Sequence, residues 1–348
     1  MTAKESEQVK GIAILMMLFH HLFSYNRIKY VPLMAYMLPG NNTVEAFCAL
    51  ACKITVTVFL CLGGYGFACK YSNAAVQKKD IQKNSFRSIK KIYIKYWVSL
   101  LFFLPYGFIT NCFNIKGELL KNIFAYKTTY NGECWFVLPY VLNILITIPL
   151  LLKLESKKCP LQKIVFMSVF VNFTAYGMRF MLGKSSISEV MNTSVYFNLY
   201  YFMLTQFPFV LGWVCKRVGF FEILKNKPIG PLKYIGLLIA LMFIKVYGKG
   251  GMFLDSVLTP LCIVLVIKVL NKSKIIDGCL GKLGRRSTYM WLTHSYFCFY
   301  YFKDIFEKIG NPILMFIVLV SISYVVSIIL EKVEFKTKKL YFVENKKL

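Results

Sequence analysis

The chain has 348 residues, 57% of them hydrophobic, a mean hydropathy of +0.54 and a formal net charge of +27. So apolar a composition excludes an ordinary soluble domain, and the placement of the charge, set out below, excludes nucleic acid as its cause. Apolar runs of about 17–25 residues, the length that crosses a hydrocarbon core of about 30 Å, fill nearly the whole sequence. They predict an all-α fold: a polytopic integral membrane bundle of about ten transmembrane helices forming a single domain, residues 1–348. No room remains for a separate soluble catalytic unit.

The first predicted span, about 9–25, includes KGIAILMMLFHHLF from Lys10. Lys10 and His21 are eleven residues apart, three helical turns plus about 20°, so they share a face. His20 lies about 100° off that line. The rise between Lys10 and His21 is about 16 Å, which puts Lys10 at one mouth and His21 near the midplane. Glu5 and Glu7 precede the span and Tyr25, Asn26 and Arg27 close it, a pattern unlike a cleaved signal peptide.

Next come spans at about 48–69 and 92–113, with Pro39-Gly40-Asn41-Asn42 as the first break and a basic loop, 70–95, between them. After Asn131-Gly132 the fourth span, about 134–152, opens on Glu133, Trp135 and Phe136. Glu133 is expected near the outer face, solvated or touching an acceptor hydroxyl. Four further spans fall at about 161–182, 194–215, 232–248 and 253–270, with breaks at Pro228, Gly230-Pro231 and Gly248 to Gly251. The ninth, about 287–303, follows Arg285 and Arg286 in GRRSTYMWLTHSYF. Ser287 and His294 are seven residues apart, about 20° short of two turns, with Trp291 between them on that side. His294 is expected about 10 Å deeper than Ser287, approaching the level of His21. Asn311-Pro312 opens the tenth, about 311–331.

Cations alternate with the spans. The 70–95 loop carries Lys70, Lys78, Lys79, Lys83, Arg87, Lys90, Lys91 and Lys95; Lys153, Lys157, Lys158 and Lys163 follow two spans later. Lys216, Arg217, Lys225, Lys227 and Lys233, then Lys268, Lys272, Lys274, Lys282, Arg285 and Arg286, continue the series into a tail rich in lysine from Lys332 to Lys347. Loops of the opposite set hold few, Arg27 and Lys29 in the first and Lys303 and Lys308 in the last. This is the positive-inside asymmetry, which for an even helix count puts both termini in the cytoplasm of a cell-membrane protein. The eleven cysteines are scattered singly with no C-x-x-C pair. Cys48 and Cys52 alone make a poor metal site, so no metal is expected, and a Cys112–Cys134 bridge is conceivable near the outer face.

The three histidines, His20, His21 and His294, all fall inside predicted spans. Interhelical hydrogen bonding accounts for one buried histidine. Two spans that each pair mouth cations with a deep histidine on one face favour functional use.

At these residues the sequence resembles the acyltransferase-3 family of integral membrane O-acyltransferases. Its first helix has arginine, ten residues, then histidine; here Lys10 precedes GIAILMMLFH and His21 at the same spacing. VFLCLGGYGF is similar to the family's Phe-Phe-x-Leu-Ser-Gly-Phe/Tyr stretch, with Gly63 in place of serine. Arg87-Ser-Ile-Lys90-Lys91 is similar to its basic patch, and Trp135-Phe136 to a pair common at its fourth helix. Ser287, Trp291 and His294 align with its Ser-x-x-x-Tyr-x-x-His. The resemblance runs from Lys10 to about Tyr301; lysine in place of arginine keeps the cation and gives up the planar fork.

The resemblance implies transfer of an acyl group, usually acetyl, from cytoplasmic acyl-CoA to a hydroxyl of a cell-surface polysaccharide, glycan or glycolipid. Acyl-CoA is then a cosubstrate rather than a resident cofactor, and the partners are the bilayer, acyl-CoA and a carbohydrate or lipid-linked acceptor. Lys10, Arg87, Lys90 and Lys91 would face the CoA phosphates as point charges. His21 would be the general base or a transient acyl carrier, with His294, Ser287, Trp291, Trp135 and Glu133 in support. A glycan or lipid transporter using the histidines as a proton relay is the main competing reading, against which stands the lack of an internal repeat or paired interrupted helices. A structural membrane subunit without activity is the other.

Overall fold

The computed structural model describes residues 1–24, 27–33, 43–71, 78–112, 118–182, 194–270 and 274–344. Tyr25, Asn26, the Pro39 to Asn42 break and Lys272 lie outside them. The described residues are helical throughout their regular structure, with no strand.

Chain order is α1 (Ala3–Phe23), α2 (Val44–Cys52), α3 (Thr55–Lys70), α4 (Lys78–Ile109) and the short α5 (Leu119–Ile123). The fourth predicted span is not one uniform helix. A 3-10 turn at Gly132–Phe136 leads into α6 (Val137–Leu142), a π-helical stretch at Asn143–Thr147 and α7 (Ile148–Ser156). Then come α8 (Leu161–Leu182), α9 (Ser194–Arg217), α10 (Phe220–Asn226), α11 (Pro231–Tyr247) and α12 (Gly251–Val269). α13 (Lys274–Ser295) passes into a second π-helical stretch, Tyr296–Tyr301, before α14 (Lys303–Ile309) and α15 (Pro312–Glu344).

Local chemistry explains the departures from the predicted ends. Thr2 accepts a bond from the Glu5 amide while the Glu5 side chain bonds back to the Thr2 amide, so this capping box starts α1 six residues before position 9. Thr43 caps α2 by accepting from the Ala46 amide. The second span breaks at Lys53–Ile54, where the Thr57 hydroxyl donates back to the Ile54 carbonyl at 2.7 Å, a bond of the kind that bends helices. Arg285 and Arg286 lie inside α13 rather than at its mouth, since the helix begins at Lys274.

Six helical segments are long and apolar enough to cross a membrane: Val44–Lys70, Asp80–Ile109, Gly132–Ser156, Leu161–Met181, Gly251–Val269 and Pro312–Lys336. The other four predicted spans coincide with α1, α9, α11 and α13 with its π-helical extension. α11 is only 17 residues long, and α1, α9 and α13 dilute their apolar faces with polar groups turned inward. All eleven cysteines are free; Cys112 is exposed and Cys134 buried, so the conceived bridge is not made.

Two crossings organise the core. α1 lies along α13 and α3 along α9, each at backbone contact. A Cβ on Gly11 would stand 2.1 Å from the Leu280 carbonyl oxygen, and one on Gly284 1.8 Å from that of Glu7. At the other crossing a Cβ on Gly64 would stand 1.8 Å from the Phe209 oxygen, and one on Gly212 1.9 Å from that of Cys61. Only glycine permits such approach, the small-residue packing of membrane helices.

Candidate active site

Positions 10, 17 and 21 of α1 share one stripe, and Lys10, Met17 and His21 all line a cavity of about 390 Å³. From α13 the same cavity takes Gly284, Ser287, Thr288 and Trp291, spaced at i, i+3, i+4 and i+7. Glu7, Lys10 and Arg285 are at one end and His21 and Glu133 at the other; Arg285 Nη1 pairs with Glu7 Oε2 at 2.9 Å.

His21 and His294 meet. His294 is fully buried, its Nδ1 is 2.7 Å from the Trp291 carbonyl, and its Nε2 is 2.6 Å from His21 Nδ1. The two rings are nearly parallel, 7° apart. A carbonyl only accepts, so His294 carries its proton on Nδ1 and offers a bare Nε2. His21 therefore donates from Nδ1 and directs Nε2 outward. That nitrogen lies 3.1 Å from Glu133 Oε2, while Arg27 Nη1 holds Glu133 Oε1 at 2.7 Å. A carboxylate also only accepts, so this arrangement needs one more proton between His21 and Glu133.

Glu133 is thus neither solvated nor at the rim: its side chain is 12% exposed and aimed at His21. The loop before it is tied to α13. Asn131 Nδ2 donates to the Leu292 carbonyl at 3.0 Å, and Asn131 Oδ1 accepts from Ser295 Oγ at 2.8 Å and the Glu133 amide at 3.1 Å. Trp291 Nε1 donates to the Glu133 carbonyl at 3.0 Å, and the Gly132 amide donates to Tyr300 Oη at 2.8 Å. These bonds surround the point where α13 loosens into its π-helical stretch, a feature that often marks functional sites.

A second cavity, about 800 Å³, opens on the far side. Arg27, Lys53, Asp255 and Arg179 line it, and so do Met17, His21, Val56, Glu133 and Trp135, which also line the first. The two cavities meet at His21.

His20 points elsewhere, as its 100° offset requires: Nδ1 bonds the Ala49 carbonyl of α2 at 2.7 Å, although the residue also borders the second cavity. Ser287, Trp291 and Trp135 join the site. Arg87, Lys90 and Lys91 do not. They are exposed on α4, turned about 140°, 160° and 100° from Ile92, the α4 residue that faces the cavity. Lys95, about 60° from Ile92, is the α4 cation on the inward side, its Nζ 4.8 Å from the Tyr289 ring centre. Arg27, Lys53, Arg179 and Tyr140 join the lining of the two cavities from outside the sequence motifs. Lys53 had a signal, a cation inside an apolar run.

No group of three or more His, Cys, Asp or Glu among the described residues could hold a metal ion. No curated protein and no solved structure matches the chain. A family model does, that of the acyltransferase-3 family, described as an acyltransferase domain and matching residues 4–332. With nearly its whole length matched and its apolar helices gathered around this histidine pair, the chain belongs to the acyltransferase-3 family of membrane acyltransferases.

Proposed function

We propose that this protein transfers an acyl group, acetyl in the simplest case, from cytoplasmic acyl-CoA to a hydroxyl of a cell-surface glycan or glycolipid. One observation carries the reading: the outward nitrogen of a tautomer-fixed histidine, His21, lies where two cavities from opposite ends of the bundle meet. In this reading acyl-CoA enters past Lys10 and Arg285, the basic end assigned to the cytoplasm with both termini. The acceptor enters past Arg27. All ten helical spans cross the cell membrane.

The acceptor hydroxyl displaces Glu133, which carries the shared proton away as a carboxylic acid still held by Arg27, and donates to the bare His21 Nε2. That nitrogen takes the proton as the oxygen bonds to the thioester carbonyl carbon. Collapse of the tetrahedral intermediate breaks the C–S bond, and the proton passes from His21 to the departing sulfur, giving an ester and CoA. His294 holds the base in the productive tautomer and spreads the charge it gains.

Membranes containing the protein, supplied with acetyl-CoA labelled in the acetyl group, should incorporate label into glycan or glycolipid. Absence of incorporation across acceptors extracted from the producing cell overturns the reading. The broken second span, with Lys53 on the second cavity, is the observation that favours transport instead. Flux of glycan driven by a pH gradient, without incorporation of label, is what that reading requires.

A further inference from the structure

The second cavity has its own chemistry. Of its described lining residues, Arg27, Lys53 and Arg179 are cationic and Glu133 and Asp255 anionic. Lys245 pairs with Asp255 from behind the wall, both side chains almost entirely buried, which neutralises that carboxylate. Four cations therefore stand against two carboxylates around one recess, and the field at its centre is positive. An aromatic cluster lines the same cavity: Trp135 and Tyr201 lie 4.4 Å apart between ring centres, Phe197 and Tyr201 4.6 Å, and Tyr200 and Tyr201 5.1 Å. Arg179 projects from α8 beside this cluster, one Nη1 bond at 3.3 Å to Tyr200 Oη and its guanidinium carbon 5.7 Å from the same ring centre.

Resting on the acyl-transfer reading, we infer that this cavity is the acceptor site and that it selects a carbohydrate bearing an anionic group. The aromatic wall presents flat apolar surface to a sugar ring. The Arg179 guanidinium, oriented by Tyr200, presents paired N–H donors to a carboxylate or phosphodiester on that sugar or on the next one. A cavity of about 800 Å³ is large enough for a short glycan segment, within the range of ligand sites. A ring held there reaches His21 without entering the first cavity, because His21 belongs to both. A neutral glycan would leave the positive field unanswered.

The test uses purified full-length protein in detergent, titrated with a disaccharide containing glucuronic acid and with its neutral glucose counterpart. Expected are tighter binding of the acidic sugar by about ten-fold at low salt and a smaller ratio at high salt. Arg179→Gln should bring the ratio to about one while leaving the neutral sugar's affinity within about two-fold, which also reports that the variant is folded. Arg179→Lys should keep part of the preference. A phosphodiester-linked disaccharide separates the two sources of charge: preference for it over glucuronate assigns the anion to a phosphate-bearing glycan. Equal affinities, tighter neutral binding, no binding of any of the three sugars, or an unchanged ratio in Arg179→Gln overturns the inference. Transfer that depends on His21 without acid preference removes this inference alone. Acid preference in a protein that transfers no label removes the reaction and leaves the site.

Discussion

Where α1 meets α13, and where α3 meets α9, backbones touch through paired glycines, Gly11 with Gly284 and Gly64 with Gly212. Below the contact the two pairs diverge. The α1–α13 pair carries a polar line, Lys10, Ser287 and His21, down one side of a cavity, with His294 buried behind His21. The α3–α9 pair packs Cys61, Phe209 and Trp213 against its neighbours and keeps its ions at one end, where Arg217 and Trp213 both bond Glu155. Close approach fixes register between helices in both cases. At the first crossing that register aligns reactive groups; at the second it aligns a wall, which faces the cavity through Val56, Phe59 and Gly63.

The comparison breaks most sharply at His21. His21→Ala should lower kcat by about 10²–10⁴-fold while thermal unfolding of the solubilised protein stays within a few degrees of wild type. Full activity in that variant removes the mechanism. Gly284→Ala and Gly212→Ala should each destabilise by about 1–3 kcal/mol, read by unfolding in mixed micelles. Only Gly284→Ala should also reduce turnover per folded molecule, by up to about 10²-fold, because α13 carries His294 against its partner. Equal loss of turnover in both would erase the distinction between crossing and wall.

Smaller effects sharpen it. His294→Ala should cost about ten-fold in kcat, the worth of one buried hydrogen bond, and His294→Gln should recover part of it because the amide oxygen can accept from His21. His20→Ala should leave kcat within about two-fold and lower stability by about 1 kcal/mol, through the lost bond to Ala49. Lys10→Ala should raise the KM for acyl-CoA about ten-fold, with Lys10→Arg tolerated. Joint replacement of Arg87, Lys90 and Lys91 by alanine should raise it only about two-fold, and not at all at high salt, since these groups act through solvent.

The Lys10–His21 stripe was legible in the sequence because it is local: eleven residues on one helix leave little freedom. The pairing of His21 with His294 was not, because 273 residues separate them and the register comes from Gly11 and Gly284, whose partners are backbone atoms. Glu133 follows a turn signal, Asn131-Gly132, and from sequence is expected near the outer face, solvated or touching an acceptor hydroxyl. Its inward aim comes from Asn131 bonding Leu292 and Ser295, contacts no window around the turn contains. The basic run on α4 is legible as charge but not as direction: its angles around the helix turn Arg87, Lys90 and Lys91 from the cavity, toward the exposed side.

The partition between the two cavities has an electrical consequence. It is built in part from Met17, His21, Val56, Glu133 and Trp135, each touching both spaces. Under the proposed topology, water stands at the cytoplasmic side of this partition and at the outer side, so most of the membrane voltage falls across a few ångströms rather than across about 30 Å of hydrocarbon. The side chains proposed to serve acyl transfer are then also the insulation of the membrane at this spot. Truncating one of them joins the cavities, and a protein that has lost its turnover gains a leak for protons.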